Sequence, residues 1–134
     1  MVKKILLISC LLLICSCSGP YYAMRSDYDA EKANKVLLMN RSLRNDIEVV
    51  KLVHGKLENG VFFVEVQLRN CSGSSSLPIQ YRTQFYSKDF REVESTNWKP
   101  FVLGPGDIIT LKENTVSADM VDDYAVLIRE QVKR

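Results

Sequence analysis

The residues best placed for a defined reaction stand at the front of the chain. There Ile14-Cys15-Ser16-Cys17 puts an aliphatic side chain three positions before a thiol and a small one directly before it. A cut needs a small residue before it, and the thiol that then becomes N-terminal can carry lipid; this is the lipobox pattern of bacterial lipoproteins. The flanks agree, with a short basic start at Val2-Lys3-Lys4 and an almost unbroken apolar run from Ile5 to Ile14. That run is about half of the ~20 apolar residues a spanning helix needs, so it reads as a signal-peptide core and not as a transmembrane anchor. Two other thiols compete with Cys17. Leu7-Ile8-Ser9-Cys10 has the same spacing, but a cut there would leave only Ile5 to Ser9 as apolar core and strand Leu11 to Ile14 on the mature N-terminus. Cys15 follows Ile14, which is too bulky to precede a cut. Cys17 is therefore the expected lipidation site, and lipid on it the expected link to a membrane.

Elsewhere the chain is poor in reactive groups. His54 is the sole histidine, with no second His or Cys at metal-ligand spacing, and one imidazole without a partner defines no site. Asp119, Asp122 and Asp123 are close in sequence but lack the Gly-centred loop and terminal Glu of a calcium site, so they read as a solvated turn. Gly104-Pro105-Gly106 is too short, and too locked by proline, for a phosphate loop, and no Lys-Ser/Thr pair follows it. Cys71 has no neighbouring base to activate it, and as a lone small apolar residue it is expected to be buried. Asn40-Arg41-Ser42 and Asn70-Cys71-Ser72 match the glycosylation sequon, but a lipobox implies a bacterial cell, where that signal is not normally read. The expectation is a protein that is not an enzyme, with no catalytic residue, no metal and no cofactor.

Composition narrows the class further. Removing residues 1–16 of the 134 as a lipoprotein signal peptide leaves 118, enough for one domain with one core. Lys3 and Lys4 leave with the signal, so 18 basic residues become 16, equal to the 16 acidic ones. No basic stripe with interleaved aromatics remains, which argues against nucleic-acid binding. With Cys10 and Cys15 removed and Cys17 lipidated, Cys71 stands alone and an intramolecular disulfide is impossible.

The elements that would position any site are strands. Residues 17–35 show no sustained period and are expected to form a lipidated N-terminus and flexible tether, ahead of a domain over 36–134. Val36 to Met39 reads as a first strand, Ser42 to Asp46 as a single turn, and Ile47 to His54, ending at Gly55, as a second strand. Val61 to Asn70 is the clearest strand: Phe62, Val64, Val66 and Leu68 share one face, with Phe63, Glu65, Gln67 and Arg69 on the other. The Asn59-Gly60 turn signal before it predicts a hairpin with the preceding strand. After a polar loop from Cys71 to Ser76, Ile79, Tyr81, Thr83 and Phe85 alternate with Gln80, Arg82, Gln84 and Tyr86. Phe90 to Ser95 reads as a charged edge strand, Ile108 to Lys112 as another strand, Ser117 to Met120 as a capped helical turn, and Tyr124 to Arg129 as a closing strand. Trp98, the only tryptophan, is expected in the core or at its edge. Seven short strands with turn signals roughly every 8–12 residues indicate an all-β, antiparallel β-sandwich with one or two short helical turns.

The run Val64-Glu65-Val66-Gln67-Leu68-Arg69-Asn70, then Ser74-Ser75, Ile79-Gln80-Tyr81-Arg82 with Phe85-Tyr86, Trp98 and Leu103-Gly104-Pro105-Gly106 resembles the YcfL family of small bacterial lipoproteins. The resemblance covers Val36 to Ile128. In that family the aromatic pair after Tyr-Arg is often Trp-Phe; here Phe85-Tyr86 fills the place. The resemblance implies an immunoglobulin-like β-sandwich on a lipid anchor, of uncharacterised molecular function. The company kept by family genes implies a link to cell-wall synthesis. The expected function is a non-enzymatic envelope lipoprotein that presents its sandwich surface to a periplasmic or outer-membrane protein partner, with Gln80, Arg82 and Tyr86 on an outward strand face as the candidate contacts. The alternative is a small-ligand or cell-wall-glycan binding module that uses Trp98 and nearby tyrosines. Ser18 stands where an Asp would retain many lipoproteins in the inner membrane, so the expected address is the outer membrane, facing the periplasm.

Overall fold

Alternating apolar and polar residues can bury one face of each strand only if a second sheet covers it, and the chain solves this with two packed sheets. The computed structural model describes residues 21–25, 35–116 and 120–132. Cys17, the signal peptide and most of the expected Ser117–Met120 turn lie outside the described residues. The strands are β1 (Tyr21–Tyr22), β2 (Met24–Arg25), β3 (Val36–Leu38), β4 (Ile47–Lys56), β5 (Phe62–Asn70), β6 (Leu77–Tyr86), β7 (Glu92–Ser95), β8 (Lys99–Leu103), β9 (Ile108–Asn114) and β10 (Asp123–Glu130), with a 3-10 turn at Arg41–Asn45. One sheet runs β1-β3-β10-β6, with β7 and β8 both pairing with β6; the other runs β2-β4-β5-β9. Among the described residues no helix is long and apolar enough to cross a membrane.

The core lies between the inward stripes. Ile47, Val49, Leu52, Phe62, Val64, Val66 and Leu68 from one sheet meet Ile79, Phe85, Tyr124, Val126 and Ile128 from the other, all buried. Each such side chain contributes roughly 1.5–3 kcal/mol when taken fully out of water. A register shift between Val49 and Lys51 inserts one extra residue, so Leu52 and not Lys51 returns to the core. The hairpin expected at Asn59-Gly60 is present: β4 and β5 pair antiparallel, and Gly60 takes φ 82° in the loop.

Several expectations are corrected. Tyr21–Arg25, placed in a tether by sequence, pairs with both sheets: β1 runs antiparallel to β3 and β2 parallel to β4. The chain steps from one sheet to the other at Ala23 and covers an edge of each, where open backbone groups would otherwise invite foreign strands. The sandwich is also not purely antiparallel, because β3 lies parallel to β10. These two strands are far apart in sequence, with β4 to β9 between them, so their parallel pairing needs no crossover between consecutive strands. The strand ending expected at Gly55 continues to Lys56; Gly55 is paired with Phe63, whose ring sits 3.1 Å from where a Cβ would be. Cys71 is exposed and not buried. Asn70 takes the inward position that follows Leu68, and the period of two turns the next residue outward.

Candidate functional site

Strand β6 places Ile79, Thr83 and Phe85 in the core, which turns Gln80, Arg82, Gln84 and Tyr86 to the outer face. Strand β10 lies along one side of it, with Arg129 opposite Gln80, Leu127 opposite Arg82 and Asp123 opposite Tyr86. On the other side β7 and β8 divide the edge of β6 between them. At the gap Thr96 takes over the ladder: its N–H donates to the Thr83 carbonyl at 2.9 Å, and its Oγ1 accepts from the Thr83 N–H at 2.9 Å. The connection that follows carries Trp98.

Trp98 is half-buried and belongs neither to the hydrophobic core nor to the residues packed against it, a correction to the expectation of a place in the core or at its edge. Strand β8 supplies the reason. Phe101 and Leu103 are its core-facing residues, so Trp98, Pro100 and Val102 fall on the opposite phase. The Arg129 guanidinium carbon stands 3.9 Å from the indole centroid and that of Arg82 stands 5.4 Å away. Arg129 Nε donates to Gln80 Oε1 at 2.8 Å, which fixes the fork. Arg82 Nε is buried without a partner. Stacked on an aromatic ring, a guanidinium keeps its in-plane N–H groups available.

Gln80 and Arg82 thus belong to one cluster with Trp98 and Arg129, while Tyr86 does not. Tyr86 donates to Gln84 Oε1 at 2.8 Å, and Gln84 Nε2 donates to Glu92 Oε2 at 3.2 Å. Burial raises the Tyr86 hydroxyl pKa first, Glu92 adds to the rise, Arg82 opposes it and Asp123 adds again. The outer face of β6 therefore has a cationic end at Gln80 and Arg82 and an acidic end at Tyr86. Among the described residues no tyrosine ring contacts Trp98; Tyr81 points inward and packs edge-on against Phe101 at 5.6 Å. Among the described residues the groups that meet the indole are the two arginines.

Two further places have chemical content. At one end of the sandwich His54 Nδ1 lies 3.0 Å from the Tyr124 hydroxyl, and the imidazole stacks on Phe62 at 5.9 Å. With Lys35, Asp123, Ser87 and Phe90 these residues line a cavity of about 340 Å³. Lys35 is ion-paired with Asp123 there. Asn70 is fully buried, and its amide reaches the carbonyls of Ser75 (2.7 Å), Leu103 (3.1 Å) and Gly104 (3.1 Å), while its Oδ1 accepts from the Ser72 N–H at 2.9 Å. It ties two loops together and has no face toward solvent. The thiol of exposed Cys71 still loses some of its water to the surrounding chain, which is the first cause of its raised pKa; Glu48 adds to the rise, Arg69 opposes it and Asp46 adds again.

No protein-family model matches the chain, and no curated protein matches it. Two solved structures share its fold. One is Campylobacter jejuni cj0090, with a TM-score of 0.61 and 18% identity over 73% of this chain and 99% of that one. The other is a member of the DUF1425 family from Shewanella sp. pv-4, with a TM-score of 0.57 and 16% identity over 89% of this chain and 95% of that one.

Proposed function

We propose that the chain is a non-enzymatic envelope lipoprotein of YcfL type, anchored by lipid on Cys17 in the outer membrane and facing the periplasm. Its task is to present the outer face of β6, β8 and β10 to a protein partner of the envelope, in keeping with a role beside cell-wall synthesis. The observation that carries the reading is the cluster of Gln80, Arg82, Trp98 and Arg129, which gathers aromatic and guanidinium groups on an otherwise regular strand face. Trp and Arg are the residue types that dominate binding energy at protein interfaces. The lipobox and the DUF1425 likeness support the anchor and the family. A glycan-binding reading needs a bare aromatic face, and Arg129 at 3.9 Å covers one face of the only tryptophan. A photo-crosslinking residue at Gln84 in cells should trap one discrete partner, and the same probe at Gln67 on the opposite sheet should not. Equal trapping at both positions, or none at Gln84, would refute the reading. Palmitate labelling of the parent chain should be lost in Cys17→Ala, and equal labelling would refute the anchor.

A further inference from the structure

Among the described residues four basic side chains are half-buried: Lys35, Arg69, Arg82 and Arg129. Lys35 is paired with Asp123, and Arg69 with Glu48 at 3.0 Å. Arg82 and Arg129 have no carboxylate among the described residues. A half-buried cation has lost part of its water and ordinarily gains a counter-charge in return. These two instead converge on one indole, like charge beside like charge. Gln80 orients one fork through its Nε, the terminal N–H groups of that fork have no acceptor among the described residues, and the Nε of the other is shielded from water without an acceptor.

We infer that Arg82 and Arg129, held by Trp98 and Gln80, form a binding site for a carboxylate on an acidic, partly apolar peptide segment of the partner. This inference rests on the reading that this face meets a protein. A carboxylate is planar, carries two acceptor oxygens and matches a guanidinium fork in a paired geometry. The surroundings select a peptide over a long polyanion. Leu127 lies opposite Arg82, and Val102 on neighbouring β8 is 63% exposed, so apolar side chains flank the cations. Farther along the same face exposed Glu92 would repel a continuous phosphate backbone. A segment that alternates acidic and apolar residues is complementary to this arrangement in charge and in surface.

The single tryptophan makes the site its own reporter. The full chain is titrated with an acetylated, amidated Glu-Leu-Glu-Leu-Glu peptide while Trp98 emission is followed. The neutral peptide with Gln in place of each Glu serves as control. The expected result is a saturable emission change with the acidic peptide alone, weakened at least fivefold in Arg82→Gln and in Arg129→Gln, and unchanged in Lys51→Gln on the other sheet. Comparison of the two peptides on the parent chain needs no variant, so the inference stays testable even if an arginine variant folds poorly. No saturable change up to millimolar peptide, an equal response to the neutral peptide, or a response to soluble cell-wall fragments but not to the peptide would overturn it. Crosslinks from Gln84 that persist while the peptide fails would sink the carboxylate site and leave the partner face standing; loss of both would sink both.

Discussion

Replacing Asn70 tests whether one buried amide holds the loop end of the sandwich together. Its Nδ2 is within reach of three carbonyl oxygens but has only two protons, so one of the contacts to Ser75, Leu103 and Gly104 is shared. With the Ser72 N–H donating to Oδ1, the side chain makes the equivalent of three hydrogen bonds. At about 1 kcal/mol net for each, Asn70→Ala should cost about 3 kcal/mol, a large share of the 5–15 kcal/mol that typically holds a domain together. For a domain of this size that is a fall in Tm of roughly 12–24 °C, at roughly 4–8 °C per kcal/mol.

Asn70→Asp sharpens the test because it preserves shape while replacing the donating amide with an acceptor aimed at carbonyls. An ionised carboxylate there would be repelled and deprived of water, so its pKa must rise above the ~3.9 of an unfolded Asp. A raised pKa in the folded state means that the stability of the protonated form is fully present below the unfolded value and is lost as pH rises through the folded one. Chemical denaturation of the Asp variant should therefore show a midpoint that falls between pH 4 and pH 7, while the parent changes far less over the same interval. An Asn70→Ala loss under 1 kcal/mol, or an Asp variant that follows the parent at both pH values, would refute the loop-tie role.

Other predictions follow from single features. The loop from Ser87 to Arg91 repeats the bonding of the Leu57 to Val61 loop, with Phe90 at φ 60° where the other has Gly60 at φ 82°. Phe90 is 81% exposed, so Phe90→Gly relieves the left-handed strain with little burial to lose; thermal melts should show a gain of about 0.5–1 kcal/mol, and a lower Tm would contradict this. Tyr81 and Tyr86 have raised pKa values, from burial first and then from Glu113 and Glu92 respectively. The stability of their neutral forms is complete below about pH 10 and lost above it, so the urea midpoint should drop between pH 8 and pH 11 and drop less in Tyr86→Phe; equal slopes would count against the assignment. The raised pKa of Cys71 should make it react with a disulfide reagent at pH 8 more slowly than a cysteine in a short peptide, and Glu48→Gln should speed it. A rate that is unaffected by Glu48→Gln would rule out the electrostatic part of the explanation.

Strands β5, β6 and β10 were readable because each alternates apolar and polar residues long enough for a period of two to stand out. Strand β8 was not, because Pro100 interrupts a five-residue run and reads as loop punctuation; the apolar pair Phe101 and Leu103 before Gly104 was the available signal. Strands β1 and β2 have two residues each, too few to carry any period. The parallel pairing of Val36 with Val126 joins the two ends of the domain, which no local pattern reports. The candidate site divides along the same line. Alternation alone turned Gln80, Arg82 and Tyr86 outward, but that Arg129 faces Gln80 is a fact of register between distant strands, and that Trp98 lies over both arginines is a fact of where β7 ends. Tyr86 shares the outward face and feels Arg82, yet the carboxylates of Glu92 and Asp123 also act on it and its hydrogen bond goes to Gln84, not to the Trp98 cluster.

The cluster itself is hard to account for by folding. Its two guanidinium carbons lie 3.9 and 5.4 Å from one centroid, so they stand at most about 9 Å apart. At an effective dielectric of about 20 the repulsion is then at least about 2 kcal/mol before salt screens it. The two cation–π contacts return about 0.5–1 kcal/mol each, which at best leaves the arrangement near neutral for stability. A carboxylate placed about 5 Å from both cations would gain about 3 kcal/mol from each in the same medium, less its own loss of water. The balance of the cluster therefore turns favourable only when an anion enters. Lys35 and Arg69 show the arrangement that folding alone favours for a half-buried cation here, an acid supplied by the chain itself. At Arg82 and Arg129 the chain supplies an indole and an amide instead, which hold the cations in place without neutralising them.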